Sequence, residues 1–412
     1  MKLPLSIFLV SLLFFSPMII SAQGPVISYE EIVTLTDTEI VITWVTNRPG
    51  DTTITYWRDD ETQRKSVTLE ENVIYHYCRL TELEPGTTYH YYTSSEGVRG
   101  KPCPRSPGTF ATFEPPGEYL FSFATMNDLQ IGTSGAFIPG MYLRSSAQSA
   151  EWACNDIDEH PVSFTIIKGD ITGNGKKEQL MSAKHILDRL WCPYYVIPSH
   201  LDIAPVTIAR DDSLYKEVFD LNETYYSFDR EVNGAKFRFI CLDSSYNPLS
   251  FDLGLISEGG HVPKEEIDWL KERLDESARE ERTVFIFIRA SLQPNIGEGM
   301  TGSLSLADSS QLVGLLGKHK NVWGAFCGSN YHRNHVYQSS FLAFPWVQTA
   351  SVVDYPRGYN IYKVYTEGYI QAFYKINDLQ ATELSRIQTF MGFGDPFVYG
   401  SLSDRNFVWM AK

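Results

Sequence analysis

Polar residues of the kinds that hold metal ions or anions occur in five short segments, each directly after an apolar one. The segments are Asp128-Leu-Gln130, Gly169-Asp-Ile-Thr-Gly173, Pro198-Ser-His-Leu-Asp202, Arg289-Ala-Ser-Leu292 and Ser329-Asn-Tyr-His332. Carboxylates, neutral imidazoles and amide oxygens are the groups that ligate divalent cations. Arg289 differs, because a guanidinium stays protonated, has no lone pair to offer and repels a cation nearby. The residues therefore predict a polar site in which cation ligands are mixed with a fixed positive charge.

The apolar segments before these residues have the lengths and compositions of buried β-strands. They cover residues 119–124, 162–167, 194–197, 237–242, 283–288 and 322–326. Helical stretches alternate with them, most clearly at residues 263–279, where Ile267, Leu270 and Leu274 form one stripe. This rhythm predicts β-α units with helices on both faces of a sheet, and loops at the carboxyl ends of the strands carry the chemistry of such folds. Residues 359–374 predict further strands.

The part of the chain before these strands has a different rhythm, with short alternating segments separated by turn residues. Glu39-Ile-Val-Ile-Thr-Trp44 and Thr88-Tyr-His-Tyr-Tyr92 are examples, and the alternation is typical of strands buried on one face. The turn Leu83-Glu-Pro-Gly-Thr-Thr-Tyr89 resembles that of fibronectin type III sandwiches. Glu114-Pro-Pro-Gly-Glu118 ends the region, since prolines lack the backbone donor that a sheet needs. The resemblance implies an all-β N-terminal domain.

Length, composition and charge limit the classes of protein that the chain can be. With 412 residues, 43% of them hydrophobic, it is expected to fold into two domains, which argues against disorder. The formal net charge of -15 repels phosphate backbones, so nucleic acid is not expected as a partner. A simpler interpretation of the acidity is that it keeps the protein soluble.

The first residues predict the compartment. Lys2 precedes an apolar run over residues 3–20, and Ser21-Ala22 supply the small residues of a cleavage site. The pattern predicts a cleaved signal peptide at residues 1–22, and hence a secreted, periplasmic or cell-surface protein without a membrane span after cleavage. An uncleaved anchor is the alternative, because the run is nearly long enough to cross a bilayer, although Pro4 and Pro17 interrupt it.

Export permits disulfides, and the chain has six cysteines. Cys78 and Cys103 fall in the same small N-terminal region and are the expected pair. The others lie in or beside apolar segments, where buried free thiols are the simpler expectation. They are Cys154, Cys192, Cys241 and Cys327.

The order and spacing of the five polar segments resemble those of the calcineurin-like metallophosphoesterases, and the sandwich in front resembles that of the purple acid phosphatases. The resemblance covers nearly the whole mature chain. It implies an α/β fold, a metallophosphoesterase-like β-sheet sandwich flanked by helices, preceded by a fibronectin type III-like all-β domain. The implied division is the signal peptide at 1–22, the N-terminal sandwich at 23–116, the metallophosphoesterase-like domain at 117–376 and a C-terminal tail at 377–412. In this family two cations share a bridging carboxylate and turn a bound water into a hydroxide nucleophile.

Matched to the family pattern, three positions keep a ligand. Asp128 stands at the first carboxylate, Asp170 at the bridging carboxylate and His332 at the last histidine. The replaced positions are Gln130 and Arg289 for metal-binding histidines, Gly173 for an outer carboxamide or carboxylate, His200 for the asparagine ligand, Leu201 for the catalytic histidine and Asn330 for the first histidine of the last motif. The resemblance therefore implies that the second metal site and the proton donor for the leaving group are lost.

Two states of the site remain open from the sequence. The first is one weakly held divalent cation, Zn²⁺, Mn²⁺ or Fe, without a two-metal centre; its ligands would be Asp128, Asp170, His332 and Gln130. The second is no metal, with Arg289 paired to Asp170, because an unpaired buried carboxylate is costly. In either state Arg289 and His200 are candidate contacts for an anion, and no catalytic residue is assigned.

These expectations lead to three functional hypotheses. The first is an exported pseudo-phosphoesterase that binds a protein or a small phosphorylated ligand. The alternative is a divergent phosphoester hydrolase that uses one metal, with Arg289 as a charge stabiliser. The third is an interaction module that acts through its N-terminal sandwich. Whether the chain is an enzyme stays open, and the usual two-metal hydrolysis is not expected.

Overall fold

The computed structural model of the chain describes residues 24–133, 146–203, 210–246, 260–292, 306–328, 332–387 and 398–411. The predicted signal peptide at 1–22 lies outside these ranges. Within them, no helix has both the length and the apolar character needed to cross a bilayer.

The N-terminal residues form an all-β domain, as predicted. Its strands are β1 (Ile27–Leu35), β2 (Ile40–Arg58), β3 (Lys65–Leu80), β4 (Thr88–Ser95), β5 (Val98–Arg99) and β6 (Thr109–Ala111). β2 pairs with β1 in its first half and with β4 in its second, and its register to β3 shifts between Val45 and Gly50. β2 and β3 therefore pass from one side of the domain to the other and close it on a core that includes Ile42, Trp44 and Tyr91. This is a fibronectin type III-like sandwich.

The described residues after this domain contain two further sheets of six strands each. The first, in spatial order, contains β18 (Phe407–Met410), β17 (Gly368–Lys375), β16 (Gly358–Tyr365), β7 (Tyr119–Met126), β8 (Val162–Lys168) and β9 (Tyr194–Ile197). The second contains β10 (Tyr226–Val232), β11 (Ala235–Leu242), β12 (Thr283–Ile288), β13 (Val322–Cys327), β15 (Trp346–Gln348) and β14 (His335–Tyr337). All the strands expected from the sequence are present in these two sheets, including those at residues 359–374.

Eight helices are described alongside the sheets. They are α1 (Ser146–Asp158), α2 (Lys177–Leu187), α3 (His200–Ile203), α4 (Ser213–Phe219), α5 (Lys264–Arg279), α6 (Leu306–Leu316), α7 (Leu379–Ile387) and α8 (Leu402–Arg405). α1 and α2 share a core with the outer side of the first sheet, and α5 and α6 share one with the outer side of the second. The predicted stripe of Ile267, Leu270 and Leu274 on α5 is buried in this way.

The arrangement of these layers corrects one expectation and confirms another. The β-α rhythm predicted helices on both faces of one sheet, whereas each sheet has helices on its outer face and the other sheet on its inner face. Phe123 of β7, Phe239 of β11 and Phe285 of β12 meet in the core between the sheets. Aromatic side chains alternate with aliphatic ones along these strands, so each strand contributes to two cores. The sandwich flanked by helices that the family resemblance implied is confirmed.

The C-terminal residues connect the two domains. The Thr34 hydroxyl donates to the Phe373 carbonyl at 2.6 Å, and the Arg405 guanidinium donates to the Ile32 carbonyl at 2.9 Å. Asn406 donates to the Val33 carbonyl at 3.0 Å. β18, which lies in the segment expected as a tail, pairs with β17 and extends the first sheet. The end of the chain thus forms part of both folded units.

All six cysteines lie in described residues, and all are free thiols. The expected Cys78–Cys103 pair is therefore wrong. Cys78 is buried in the sandwich core, whereas Cys103 is half-buried and its thiol donates to the Glu30 carbonyl at 3.2 Å. The expectation of free thiols at the other four positions is confirmed, with three of them buried and Cys192 half-buried.

Candidate functional site

The first two polar loops run side by side where β7 and β8 end. The Asp128 amide donates to the Gly169 carbonyl at 3.1 Å, and the Gln130 amide donates to the Asp170 carbonyl at 2.9 Å. Asp128, Gln130 and Asp170 all have φ between 50 and 57°, in the left-handed region, as does His332 at 52°. This conformation costs a non-glycine residue on the order of 1 kcal/mol or more, and such residues concentrate at functional sites. The strained backbone turns the two carboxylates toward one point.

Arg289, at the end of β12, occupies that point. Its Nη2 atom donates to Asp128 Oδ1 at 2.7 Å and to Asp170 Oδ2 at 2.5 Å. All three side chains are at most 6% exposed. The pairing of Arg289 with Asp170 that one interpretation of the sequence predicted is therefore present, and Asp128 shares the same guanidinium nitrogen.

Two glycines make room for the Arg289 side chain. A Cβ at Gly169 would lie 2.6 Å from Arg289 Cδ, and one at Gly328 would lie 3.0 Å from Arg289 Nη1. Gly169 has a φ of +76°, a conformation that favours glycine independently of the available space. The guanidinium thus lies in a channel between two backbone segments that have no side chains there.

The ionisation of the two carboxylates follows from this arrangement. Burial pushes both pKa values upward. For Asp170, the charge and hydrogen bond of Arg289 outweigh burial and hold its pKa below the ordinary value. For Asp128, burial prevails over the attraction of Arg289 and His332 and raises its pKa to about 6. Asp170 is therefore the carboxylate whose negative charge Arg289 chiefly balances.

His332 approaches the same cluster from the other sheet. Its Nε2 lies 3.6 Å from Asp128 Oδ1, and its Nδ1 lies 3.3 Å from Asp354 Oδ2. Asp354 is held by the Ser385 hydroxyl, which donates to it at 2.8 Å. Burial favours the neutral imidazole, but the two carboxylates together raise the pKa of His332 above its ordinary value. The two carboxylates therefore favour the protonated form of the imidazole.

The remaining predicted positions in these loops do not complete a metal site. The Gln130 amide nitrogen donates to Asp170 Oδ2 at 3.3 Å, while its oxygen accepts from the Thr133 hydroxyl at 3.2 Å. A Cβ at Gly173 would lie 2.0 Å from Thr133 Oγ1, so Thr133 occupies the space that the carboxamide or carboxylate of the family pattern would need. Asn330 lies outside the described residues.

The cluster leaves no place for a divalent cation between the two carboxylates. A cation bridging Asp128 and Asp170 would need the position of Arg289 Nη2, which already contacts one oxygen of each carboxylate. Across the ranges that the structure covers, no three His, Cys, Asp or Glu side chains form a group that could hold a metal ion. In the observed arrangement the residues do not fit a metal. The single weak site on Asp128, Asp170, His332 and Gln130 stays a prediction.

The third loop has a structural role through Asp202. Its carboxylate accepts from the Thr172 amide at 2.8 Å and from the Ser199 amide and hydroxyl, each at 3.0 Å. Asp202 therefore joins the loop after β9 to the loop after β8. His200 and Leu201 begin α3, and His200 is half-buried. The role of His200 as an anion contact stays a prediction.

A buried lysine beneath the site was missed by the sequence analysis. Lys168 is 0% exposed, and its Nζ donates to the Thr349 hydroxyl at 2.6 Å and to the Cys327 carbonyl at 3.2 Å. Thr349 in turn donates to Asn127 Oδ1 at 2.6 Å. Burial, with some repulsion from Arg289, lowers the pKa of Lys168 to about 7. The sequence did contain a signal for its burial, because Lys168 continues the alternation of Phe164 and Ile166, which face the core between the sheets.

Neither a family model nor a curated protein matches the sequence. Among solved structures, a dimetal phosphatase from Danio rerio is similar with a TM-score of 0.51 at 14% identity, over 72% of this chain and 100% of that one. A purple acid phosphatase from yellow lupin seeds is similar with a TM-score of 0.44 at 13% identity, over 86% and 73% of the two chains. The fibronectin type III domain of human contactin 1 is similar over 24% of this chain and 87% of its own, with a TM-score of 0.19 at 18% identity.

These likenesses concern the fold. The dimetal phosphatase matches along its whole length, at an identity too low to carry over its ligands or its reaction. A TM-score of 0.51 over that whole chain shows a shared fold. The chain therefore has the calcineurin-like metallophosphoesterase fold.

Proposed function

We propose that this protein is an exported pseudo-phosphoesterase, which keeps the metallophosphoesterase fold and uses it for binding without hydrolysing phosphoesters. The observation that carries the proposal is the position of Arg289 Nη2, within 2.7 Å of both Asp128 and Asp170. A covalently attached cation there neutralises the carboxylates that metals would otherwise share. Export enters the proposal through the predicted signal peptide.

The charge balance of the cluster supports this proposal. Two carboxylates buried this deeply are costly unless a cation accompanies them. Arg289 supplies that cation permanently, since it does not deprotonate in proteins. Displacing it would require moving a side chain that Gly169 and Gly328 enclose. A divalent ion therefore has to compete with an intramolecular partner for both carboxylates.

The residue at the position of the family's proton donor is a second argument. Leu201 stands where the family has its catalytic histidine, and an aliphatic side chain cannot protonate a leaving group. Without a metal-activated water and without this acid, the cleft lacks both the nucleophile and the acid of the family's reaction. The proposed ligand is a protein or a small phosphorylated molecule.

The test combines metal content with turnover. The full-length protein is purified without chelators, analysed for bound metals, and then assayed with Zn²⁺, Mn²⁺ or Fe²⁺ on p-nitrophenyl phosphate and bis(p-nitrophenyl) phosphate. We expect no metal above the buffer blank and no turnover above background. Turnover that Asp170→Ala abolishes, but that the exposed-carboxylate control Asp211→Ala retains, would overturn the proposal.

The alternative, a one-metal hydrolase with Arg289 as charge stabiliser, has less support. Arg289 Nη2 is already bonded to Asp128 and Asp170, so this nitrogen would have to leave both carboxylates before it could stabilise a phosphoryl group. The alternative requires metal uptake. If titration with each cation gives no binding heat and no change in metal content, this alternative is excluded as well.

A further inference from the structure

The outer face of the N-terminal sandwich carries a cluster of aromatic and cationic side chains far from the candidate site in sequence. Trp57 of β2 lies opposite His90 of β4, and Thr55 lies opposite Tyr92. Because side chains alternate between the two faces of a strand, these four share one face, opposite to the buried Tyr89 and Tyr91. All except Thr55 are partly exposed.

The rings of this face stack on one another and on two arginines. Trp57 and His90 are stacked with centroids 5.4 Å apart, and the Trp57 and Tyr92 centroids are 6.3 Å apart. The Arg64 guanidinium lies 4.6 Å from the Trp57 ring centroid, and the Arg99 guanidinium lies 3.8 Å from that of Tyr92. A guanidinium stacked on a ring keeps its N–H edges available for a planar anion.

Both arginines lie near the Tyr92 side chain. A hydrogen bond with Thr55, together with the charges of Arg64 and Arg99, lowers the pKa of Tyr92. Arg64 and Arg99 are exposed, and among the described residues neither has a carboxylate within ion-pair distance. On a chain with a net charge of -15, two such cations beside one hydroxyl form a local anion-binding position.

The surroundings of the two arginines are rich in acceptors and hydroxyls. At one end of the face, Asp59 Oδ1 lies within hydrogen-bond distance of His90 Nε2, at 2.6 Å. At the other end Asp51 accepts from the Thr53 hydroxyl at 2.6 Å, and the Thr68 hydroxyl oxygen lies 2.9 Å from that of Thr53. Carboxylates flanking the arginines repel a uniformly anionic partner but accept hydrogen bonds from ligand hydroxyls.

We propose that this face binds an acidic oligosaccharide, with a sugar carboxylate or sulfate between Arg64 and Arg99 and sugar hydroxyls donating to Asp59 and Asp51. One anionic group among many hydroxyls matches the alternation of cations, carboxylates and hydroxyls on the face. An acidic peptide matches only the arginines. The proposal is independent of the proposed function, since in the part of the chain that the structure describes this face belongs to the N-terminal sandwich and the Arg289 cluster to the other domain.

Binding is tested on the full-length protein by calorimetry with an acidic tetramer of three galactose units and one galacturonic acid, and with a neutral tetramer of galactose as the comparison. We expect the acidic tetramer to bind and the neutral one to bind at least about tenfold more weakly. Arg64→Gln combined with Arg99→Gln is expected to weaken the acidic tetramer by about tenfold or more. Lys236→Gln, an exposed lysine in the other domain, is the charge control and is expected to leave the affinity unchanged.

Asp59→Asn separates a sugar from an acidic peptide. For the sugar, loss of the carboxylate acceptor weakens binding; for a decamer of glutamate, loss of a repelling charge tightens it. The proposal is overturned if the acidic tetramer does not bind, if the neutral tetramer binds equally well, or if the double variant has no effect. It is also overturned, in favour of a protein partner, if Asp59→Asn tightens binding and the glutamate decamer competes.

Discussion

At the scale of single residues, Arg289 changes what the two aspartates can do. In a metal centre Asp128 and Asp170 would bind or release a cation as its free concentration changes. Here their counter-ion is a side chain of the protein itself. The hydrogen bonds that Arg289 makes are buried, so solvent screens them little. The cluster is therefore expected to contribute to folding as well as to close the cleft.

Removing the guanidinium while keeping the apolar stem tests this contribution. Arg289→Met leaves two buried carboxylates without their cation, so we expect the free energy of unfolding to fall by about 3–5 kcal/mol in urea titrations. Asp170→Asn in the same background is expected to recover part of the loss, because it removes one uncompensated charge. Equal stability of Arg289→Met and wild type would contradict a buried ion pair.

The glycine channel can be tested by a matched pair of substitutions. Gly169 and Gly97 have similar φ values of +76° and +73°, but only at Gly169 would a Cβ meet Arg289, since Gly97 has nothing within 4 Å. Both Gly→Ala changes carry the backbone cost of about 1 kcal/mol. We expect Gly169→Ala to lower the free energy of unfolding by at least about 1 kcal/mol more than Gly97→Ala. Equal costs would mean that Arg289 is not confined there.

Residue chemistry made part of this cluster predictable. A buried Asp170 needs a counter-ion, and Arg289 at the end of a neighbouring strand was the available cation. The sharing by Asp128 and the support from Asp354 were not predictable, because both depend on loop directions that the left-handed backbone of Asp128 and His332 sets. Lys168 was missed because a lysine that ends an apolar strand is most often solvated.

At the scale of secondary structure, local patterns located the strands but not their partners. The end of β8 and the start of α5 follow from apolar runs and from Pro263. The division into two sheets does not follow from local patterns, because β-α units have the same alternation of strand and helix in a single sheet and in a sandwich. The distinguishing feature is that neighbouring strands each contribute a phenylalanine to the inner face. Phe123, Phe239 and Phe285 together fill the space between the two sheets.

His76 of β3 gives the sandwich a pH dependence. It is 0% exposed, stacks on Trp44, and its two ring nitrogens bond to Thr46 at 2.8 Å and Thr52 at 2.7 Å. Burial lowers its pKa to about 4, against about 6.5 for an unfolded histidine. The unfolded chain therefore binds the extra proton first, and this contribution to stability is lost as the pH falls from about 6.5 to about 4.

A glutamine at this position removes the titrating group. Between pH 4 and 6.5 we expect the unfolding free energy of His76→Gln to depend less on pH than that of wild type, by up to about 1.4 kcal/mol per pH unit. His185→Gln, at an exposed position on α2, is the control and should keep the slope of wild type. Parallel curves for wild type and His76→Gln would show that the pKa of His76 is the same in the folded and the unfolded chain.

At the scale of the whole molecule, the two domains share an interface that runs through the last residues of the chain. Asn406 accepts from the Leu35 amide at 3.2 Å and from the Phe373 amide at 3.1 Å. Val33 and Val41 of the sandwich lie in the same core cluster as Phe373 and Tyr399. The domains are thus expected to unfold as one cooperative unit.

Calorimetry tests this cooperativity. We expect one thermal transition for wild type, and for Asn406→Ala a single transition at lower temperature, with a loss of at least about 2 kcal/mol from the buried amides left without partners. Asn222→Ala, an exposed position, is the control and should not shift the transition. Two separated transitions in wild type would contradict the shared interface.

The bond between Arg405 and Ile32 also sets an order of events during synthesis. It joins residues 373 positions apart, so at 5–20 residues per second the carbonyl of Ile32 waits roughly 20–75 s for its donor to leave the ribosome. Throughout that interval β1 borders an unfinished sheet. A chaperone would meet this chain with its first strand still incompletely bonded until the segment around Arg405 has been synthesised.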